Sequence, residues 1–197
     1  MVGLNERKFE VIAWKNGSFS VVGIIKNCID NFVWRLVVVY GSPYEEGKAD
    51  FLGELEGLLA NRDGPTVIKG DYNIVTIAKE KNNGQVNKKW ADSFLDLINK
   101  WGLIELKNSN RSYTWTNKQD QPILPALDKI FCTVNFQQKI PLAFMTAKAR
   151  VGSDHVPLVL NLGVTESKKS SLFTFEKWWL EQPDFKNLVK NVYSLCL

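Results

Sequence analysis

Apolar positions in the first forty residues come in short dense runs, and beyond residue 47 they change to helical spacing. Residues 10–14 and 19–25 are two such runs about Asn16-Gly17. They predict a hairpin whose tight turn uses the positive φ that Asn-Gly supplies. Residues 32–40 are rich in β-branched side chains and predict a central strand buried on both faces, ending at Gly41-Ser42-Pro43. Over 47–61, Phe51, Leu52, Leu55, Leu58 and Leu59 share one helical face, and Asp63-Gly64-Pro65 closes the segment. Residues 66–68 form a short strand leading to Asp71. A polar loop over 79–89, rich in Lys and Asn, precedes a second helix with Trp90, Phe94, Leu97, Ile98 and Trp101 on one face.

Strand patterns return over 103–106, 112–116, 127–131, 144–147 and 158–162, separated by polar or proline-bearing turns. Many strands with two covering helices indicate an α/β protein, a two-sheet β-sandwich flanked by helices. The domain is read as 1–163, followed by a polar linker over 164–171 and a helical tail over 172–197 that carries Trp178 and Trp179.

With 197 residues and a 45% hydrophobic fraction, one domain can bury an ample core without disulfides or metal staples. The 25 basic and 21 acidic residues leave a net charge of +4, which permits an anionic partner without demanding one. Cys28, Cys132 and Cys196 have no paired spacing, which argues against a disulfide framework or a cysteine zinc site. The start lacks the apolar core of a signal peptide, and no apolar run reaches membrane-spanning length. The chain is read as intracellular, in nucleus or cytoplasm.

Polar clusters recur where apolar runs end: Tyr40, Asp71 with Asn73, Asp128, and Asp154 beside His155, the one histidine. This set suits phosphodiester hydrolysis, which needs a base for water, a cation, and donors to the non-bridging oxygens. Asp71 would activate water and Asp154 would ligate magnesium or manganese. Asn73, Tyr40 and His155 would contact phosphate, and Asp128 would accept a ring N–H of His155 and fix its tautomer. Taken singly, each residue also has a plain reading as a turn, strand-end or ion-pairing side chain.

Tyr40-Gly41-Ser42-Pro43, Gly70-Asp71-Tyr72-Asn73, Leu127-Asp128 and Gly152-Ser153-Asp154-His155-Val156-Pro157 together resemble the endonuclease/exonuclease/phosphatase superfamily. Trp34-Arg35-Leu36, Tyr113-Thr114-Trp115-Thr116-Asn117 and the stretch from Phe173 to Trp179 are similar to the endonuclease region of plant non-LTR retrotransposons. The resemblance implies a deoxyribonuclease-like sandwich that cuts phosphoesters with a divalent metal. It gives Asp71, Asn73, Tyr40, Asp128, His155 and Asp154 the roles reached above. DNA is the implied partner, with Trp115, Asn117 and Lys129 as candidate nucleic-acid contacts.

Superfamily members begin with a strand ending in a catalytic Asn and a second carrying a metal-ligand Glu, and neither has a counterpart before residue 10. The resemblance therefore implies a truncated domain with weakened magnesium binding and weak or lost activity. Two alternatives stand beside the endonuclease reading. One is an inactive remnant that binds nucleic acid or protein, and the other is a phosphatase of phosphoinositides or small phosphoesters on the same fold.

Overall fold

A computed structural model of the protein describes residues 3–107 and 110–163. These lie within one unit, Met1–Val164, and the expected linker and tail lie outside the described residues. Six strands make one sheet: β1 (Phe9–Asn16), β2 (Ser20–Asn27), β3 (Val33–Tyr40), β4 (Thr66–Asp71), β5 (Ile104–Glu105) and β6 (Asp128–Cys132). Their spatial order is β1-β2-β3-β4-β6-β5. Only β3 and β4 run parallel; the other pairs are antiparallel. A second, two-stranded sheet pairs β7 (Phe144–Ala147) with β8 (Leu158–Asn161). The helices are α1 (Lys48–Ala60), α2 (Lys88–Lys100) and α3 (Val134–Lys139). The protein is thus an α/β sandwich with helices on its flanks.

Alternation along the central strands divides the interior into two cores. Val37 and Val39 of β3, Ile68 of β4 and Phe131 of β6 point to one face, where Phe51, Leu55, Phe94 and Leu97 of α1 and α2 cover them. Trp34, Leu36, Val67, Ile130 and Cys132 point to the other, against Phe136, Met145 and Leu162. Residues one apart on β4 therefore belong to opposite cores, and this decides what its end can present.

The hairpin between β1 and β2 forms, but its turn is not the expected one. Neither Asn16 nor Gly17 has a positive φ. The loop is shaped from afar by Glu54 of α1, whose carboxylate accepts the backbone N–H groups of Ser18 (3.0 Å) and Phe19 (3.1 Å) and the Ser20 hydroxyl. A β-carbon at Gly17 would meet that carboxylate, which would have to shift to admit it.

Residues 112–116 are not a strand. Thr114 and Trp115 both donate their N–H to the carbonyl of Pro125, and the segment keeps only an isolated bridge from Trp115 to His155. The segment 66–68 is longer than expected, continuing as β4 to Asp71. Gly70 permits this: at φ +150° its missing β-carbon leaves room for the Val39 carbonyl of β3. Cys28 is exposed and Cys132 buried, both free thiols, and burial pushes Cys132 up to about 11. Among the described residues no helix is long and apolar enough to cross a membrane.

Candidate active site

The C-terminal end of β4 places a carboxylate on the face between the two sheets. Tyr72, the next residue, turns the other way and is wholly buried against Phe51, Phe94 and Phe131, with ring centroids 6.2, 5.0 and 5.5 Å away. This aromatic anchor fixes Asp71. Asn73 then adopts φ +50° and folds back over it. Its backbone N–H donates to Asp71 Oδ1 (2.9 Å) and its amide to Oδ2 (3.1 Å) and to the Gly41 carbonyl (2.8 Å). Both amide hydrogens are thereby spent within the protein. In this arrangement the amide holds Asp71, and the phosphate contact expected of Asn73 would require one of these bonds to open.

Lys48 of α1, buried, donates from Nζ to the carbonyls of Ser42 (2.9 Å) and Asn73 (2.8 Å). It ties the end of β3 to the end of β4.

Asp128 opens β6 directly opposite Asp71 in the antiparallel register. Two carboxylates so paired repel unless something cationic lies between them. His155 lies there. Its Nδ1 is 2.9 Å from Asp128 Oδ2, and its Nε2 is 3.7 Å from Asp71 Oδ2. The bond to Asp128 raises the imidazole above its ordinary value, and the charges of Asp128, Asp71 and Asp154 add to this while burial opposes it. Burial raises Asp71, helped by the Asp128 charge and opposed by the Asn73 N–H. The result is an imidazole that holds its proton more tightly than usual beside a carboxylate made more basic than usual.

The loop that carries His155 is held by the segment 112–117. The Thr114 hydroxyl accepts the N–H groups of Leu127 (3.0 Å) and Asp128 (2.9 Å), the Thr114 carbonyl accepts Val156 N–H (2.8 Å), and Thr116 N–H donates to the Asp154 carbonyl (3.1 Å). Thr114 thus sets Asp128 and His155 in one frame. Inside the loop, His155 N–H donates to the Ser153 hydroxyl.

Trp115, expected as a nucleic-acid contact, donates its indole N–H to Asp154 Oδ2 at 2.9 Å. Asn117 spends its carbonyl on Ile123 N–H at 2.9 Å. Lys129 differs from expectation: its side chain is 4% exposed and ion-paired with Glu80, so its ammonium is not offered to nucleic acid. That pairing follows from register, since Lys129 faces the helix side of β6 while Asp128 faces the cleft. Lysine pairing holds Glu80 below the usual carboxylate range against the effect of its burial. Tyr40 is 61% exposed and stands at the cleft rim.

The cleft itself has a volume of about 1100 Å³ and is walled by Leu36 and Val38 on one side and Leu158 and Leu160 on the other. Asp71, Asp128, His155 and Lys69 lie on its polar part.

A divalent cation here would need several oxygen ligands. Among the described residues no three His, Cys, Asp or Glu side chains stand together as a metal-binding group. Asp154 has one oxygen on Trp115 and the other 3.5 Å from the Ser153 hydroxyl, and both Asp71 oxygens accept Asn73. Among the described residues the side-chain donors do not close around a metal ion, and the magnesium expected at Asp154 has no companion ligand there.

A sandwich of this topology, with Asp, Asp and His converging at the strand ends over a cleft, is an endonuclease/exonuclease/phosphatase fold of the deoxyribonuclease-like kind. Solved structures bear this out. The endonuclease domain of TRAS1, a telomere-specific non-LTR retrotransposon, is similar with a TM-score of 0.57 at 16% identity, over 74% of this chain and 64% of that one. Humanized D. rerio TDP2 gives 0.53 at 12% identity over 80% and 70% of the two chains. A mannosyl-6-phosphatase of Bacteroides thetaiotaomicron gives 0.50 at 14% identity over 79% and 67%. The chain spans under two thirds of the TRAS1 domain. No protein-family profile matches the sequence, nor does any curated protein.

Sequence reasoning missed Lys48, Thr114 and Glu80, each of which acts through a partner distant in sequence, and Lys69, which the strand register sets beside the Asp71–Asp128 pair. Only the Thr-Trp-Thr stretch gave a local signal.

Proposed function

We propose that the protein is a phosphodiesterase of the DNA endonuclease type, similar in kind to retrotransposon endonucleases, and that its activity is weak. The observation that carries this reading is the line Asp128–His155–Asp71, with 2.9 Å on one side of the imidazole and 3.7 Å on the other. Asp128 accepts from Nδ1 and raises the proton affinity of the ring, which favours an Nε2–H that can donate to an oxygen of a phosphate in the cleft. Asp71, held by Asn73 and made more basic by burial, orients and deprotonates the attacking water. Tyr40 at the rim is the further phosphate contact, and the net charge of +4 suits a DNA strand.

A second reading is binding of nucleic acid without cleavage. What favours it is the donor set, which does not close around a metal ion among the described residues. Nicking of supercoiled plasmid by the purified chain, with magnesium or manganese in the buffer, separates the two. The endonuclease reading expects slow nicking that falls about 100-fold or more in both Asp71→Asn and His155→Gln. Equal rates in all three proteins would refute it, and salt-sensitive binding with no nicking would establish the second reading.

A further inference from the structure

The mechanism leaves one cation of the cleft without a task. Lys69 stands two residues before Asp71 on β4, so its side chain takes the same face of the sheet, and the register sets it opposite Ile130, next to the Asp71–Asp128 pair. It lines the cleft together with Asp71, Asp128 and His155. The other two lysines near the site are satisfied internally, Lys48 by two carbonyls and Lys129 by Glu80. The Lys69 side chain has no hydrogen bond or ion pair with any described residue. Burial lowers its ammonium below the usual value, and the charge of Asp128 works against that.

A partly desolvated ammonium on a central strand costs solvation energy, and here only the charge of Asp128, without a direct contact, offsets it. A neutral residue would pack between Val67 and Asp71 at less cost. The charge fits a ligand that enters the cleft carrying negative oxygens, and the site already presents one donor for such oxygens at His155.

We infer that Lys69 binds a non-bridging oxygen of the phosphate in the cleft, supplying from the chain itself the charge neutralisation that the donor set does not hold as a metal ion. The inference rests on the reading of the cleft as a phosphate-ester site. A lysine ammonium is a point charge with three donors, so it accepts either a terminal phosphate or a phosphodiester linkage.

The test uses the ring resonances of His155, the one histidine, followed by NMR at constant pH during titration with inorganic phosphate and, separately, with a short DNA duplex. Both probes are expected to shift the wild-type ring saturably. Lys69→Met and Lys69→Gln should each weaken binding about tenfold or more, Lys69→Arg should retain it, and Lys15→Met, an equal loss of charge on exposed β1, should change it less than about twofold. A response to the duplex alone assigns the site to internal phosphodiesters, and a response to phosphate alone assigns it to terminal ones. Wild-type binding that survives unchanged in both neutral variants overturns the role of Lys69 and leaves the phosphate site standing. A wild-type ring that responds to neither probe overturns the phosphate site, and the inference with it.

Discussion

Replacing Asp128 by Asn keeps the shape of the side chain and removes its charge, so it tests what raises His155. The contact at stake is the 2.9 Å bond from Nδ1 to Asp128 Oδ2. A hydrogen bond to a charged group contributes roughly 1.5–3 kcal/mol. The imidazole is 31% exposed, so solvent screening favours the lower end, about 1.5 kcal/mol. At about 1.36 kcal/mol per pKa unit, the ring of the variant should titrate about one unit lower. Asp71, 3.7 Å from Nε2, remains and keeps part of the elevation. The assay is NMR titration of the ring, which needs no assignment because His155 is the one histidine. The wild-type ring should titrate above the ordinary value of about 6.5. Midpoints in the two proteins that agree within about 0.3 units would refute the reasoning, since about 0.4 kcal/mol is too little for a charge-assisted bond.

Three further outcomes follow from the same geometry. His155 has a folded-state pKa above its unfolded one, so its stabilisation is complete below about pH 6.5 and is lost as pH rises through the folded value; the gap in urea stability between wild type and His155→Gln should therefore be widest near pH 6 and close at alkaline pH. Glu54→Gln weakens the acceptor for Ser18, Phe19 and Ser20 and should cost about 1–2 kcal/mol in urea unfolding. Lys129→Met strands the Glu80 carboxylate and should cost about 3–5 kcal/mol, part of which the double variant with Glu80→Gln recovers.

Helical spacing of Phe51, Leu55 and Leu59 located α1 within a residue at each end, because burial on one face governs a helix of 13 residues. The six residues of α3 span under two turns, too few for a period to register. The Asn16-Gly17 turn went astray for a different reason. A carboxylate from another element satisfies that loop, and local turn chemistry carries no trace of it. Likewise Thr-Trp-Thr reads as a strand because its side chains are β-branched and aromatic, whereas its N–H groups go to Pro125 and Asp154.

At the site, the convergence of Asp71, Asp128 and His155 was legible because polar residues at the ends of apolar runs gather where strand ends meet over one cleft. The duties of Asn73 and Lys129 were not. Asn73 depends on a left-handed turn that directs its amide inward, and Lys129 on a register that sends it to the helix side.

The proposed pairing of a protonated His155 with a carboxylate base at Asp71 is tested most directly by the pH dependence of plasmid nicking in wild type and Asp128→Asn. The wild-type profile should be a bell. Its acid limb should lie above the ordinary carboxylate range because Asp71 is raised, and its alkaline limb should follow His155. In Asp128→Asn the alkaline limb should move down by about one unit, in step with the ring titration. An alkaline limb that stays in place while the ring titration moves would contradict the assignment of His155 to the reaction.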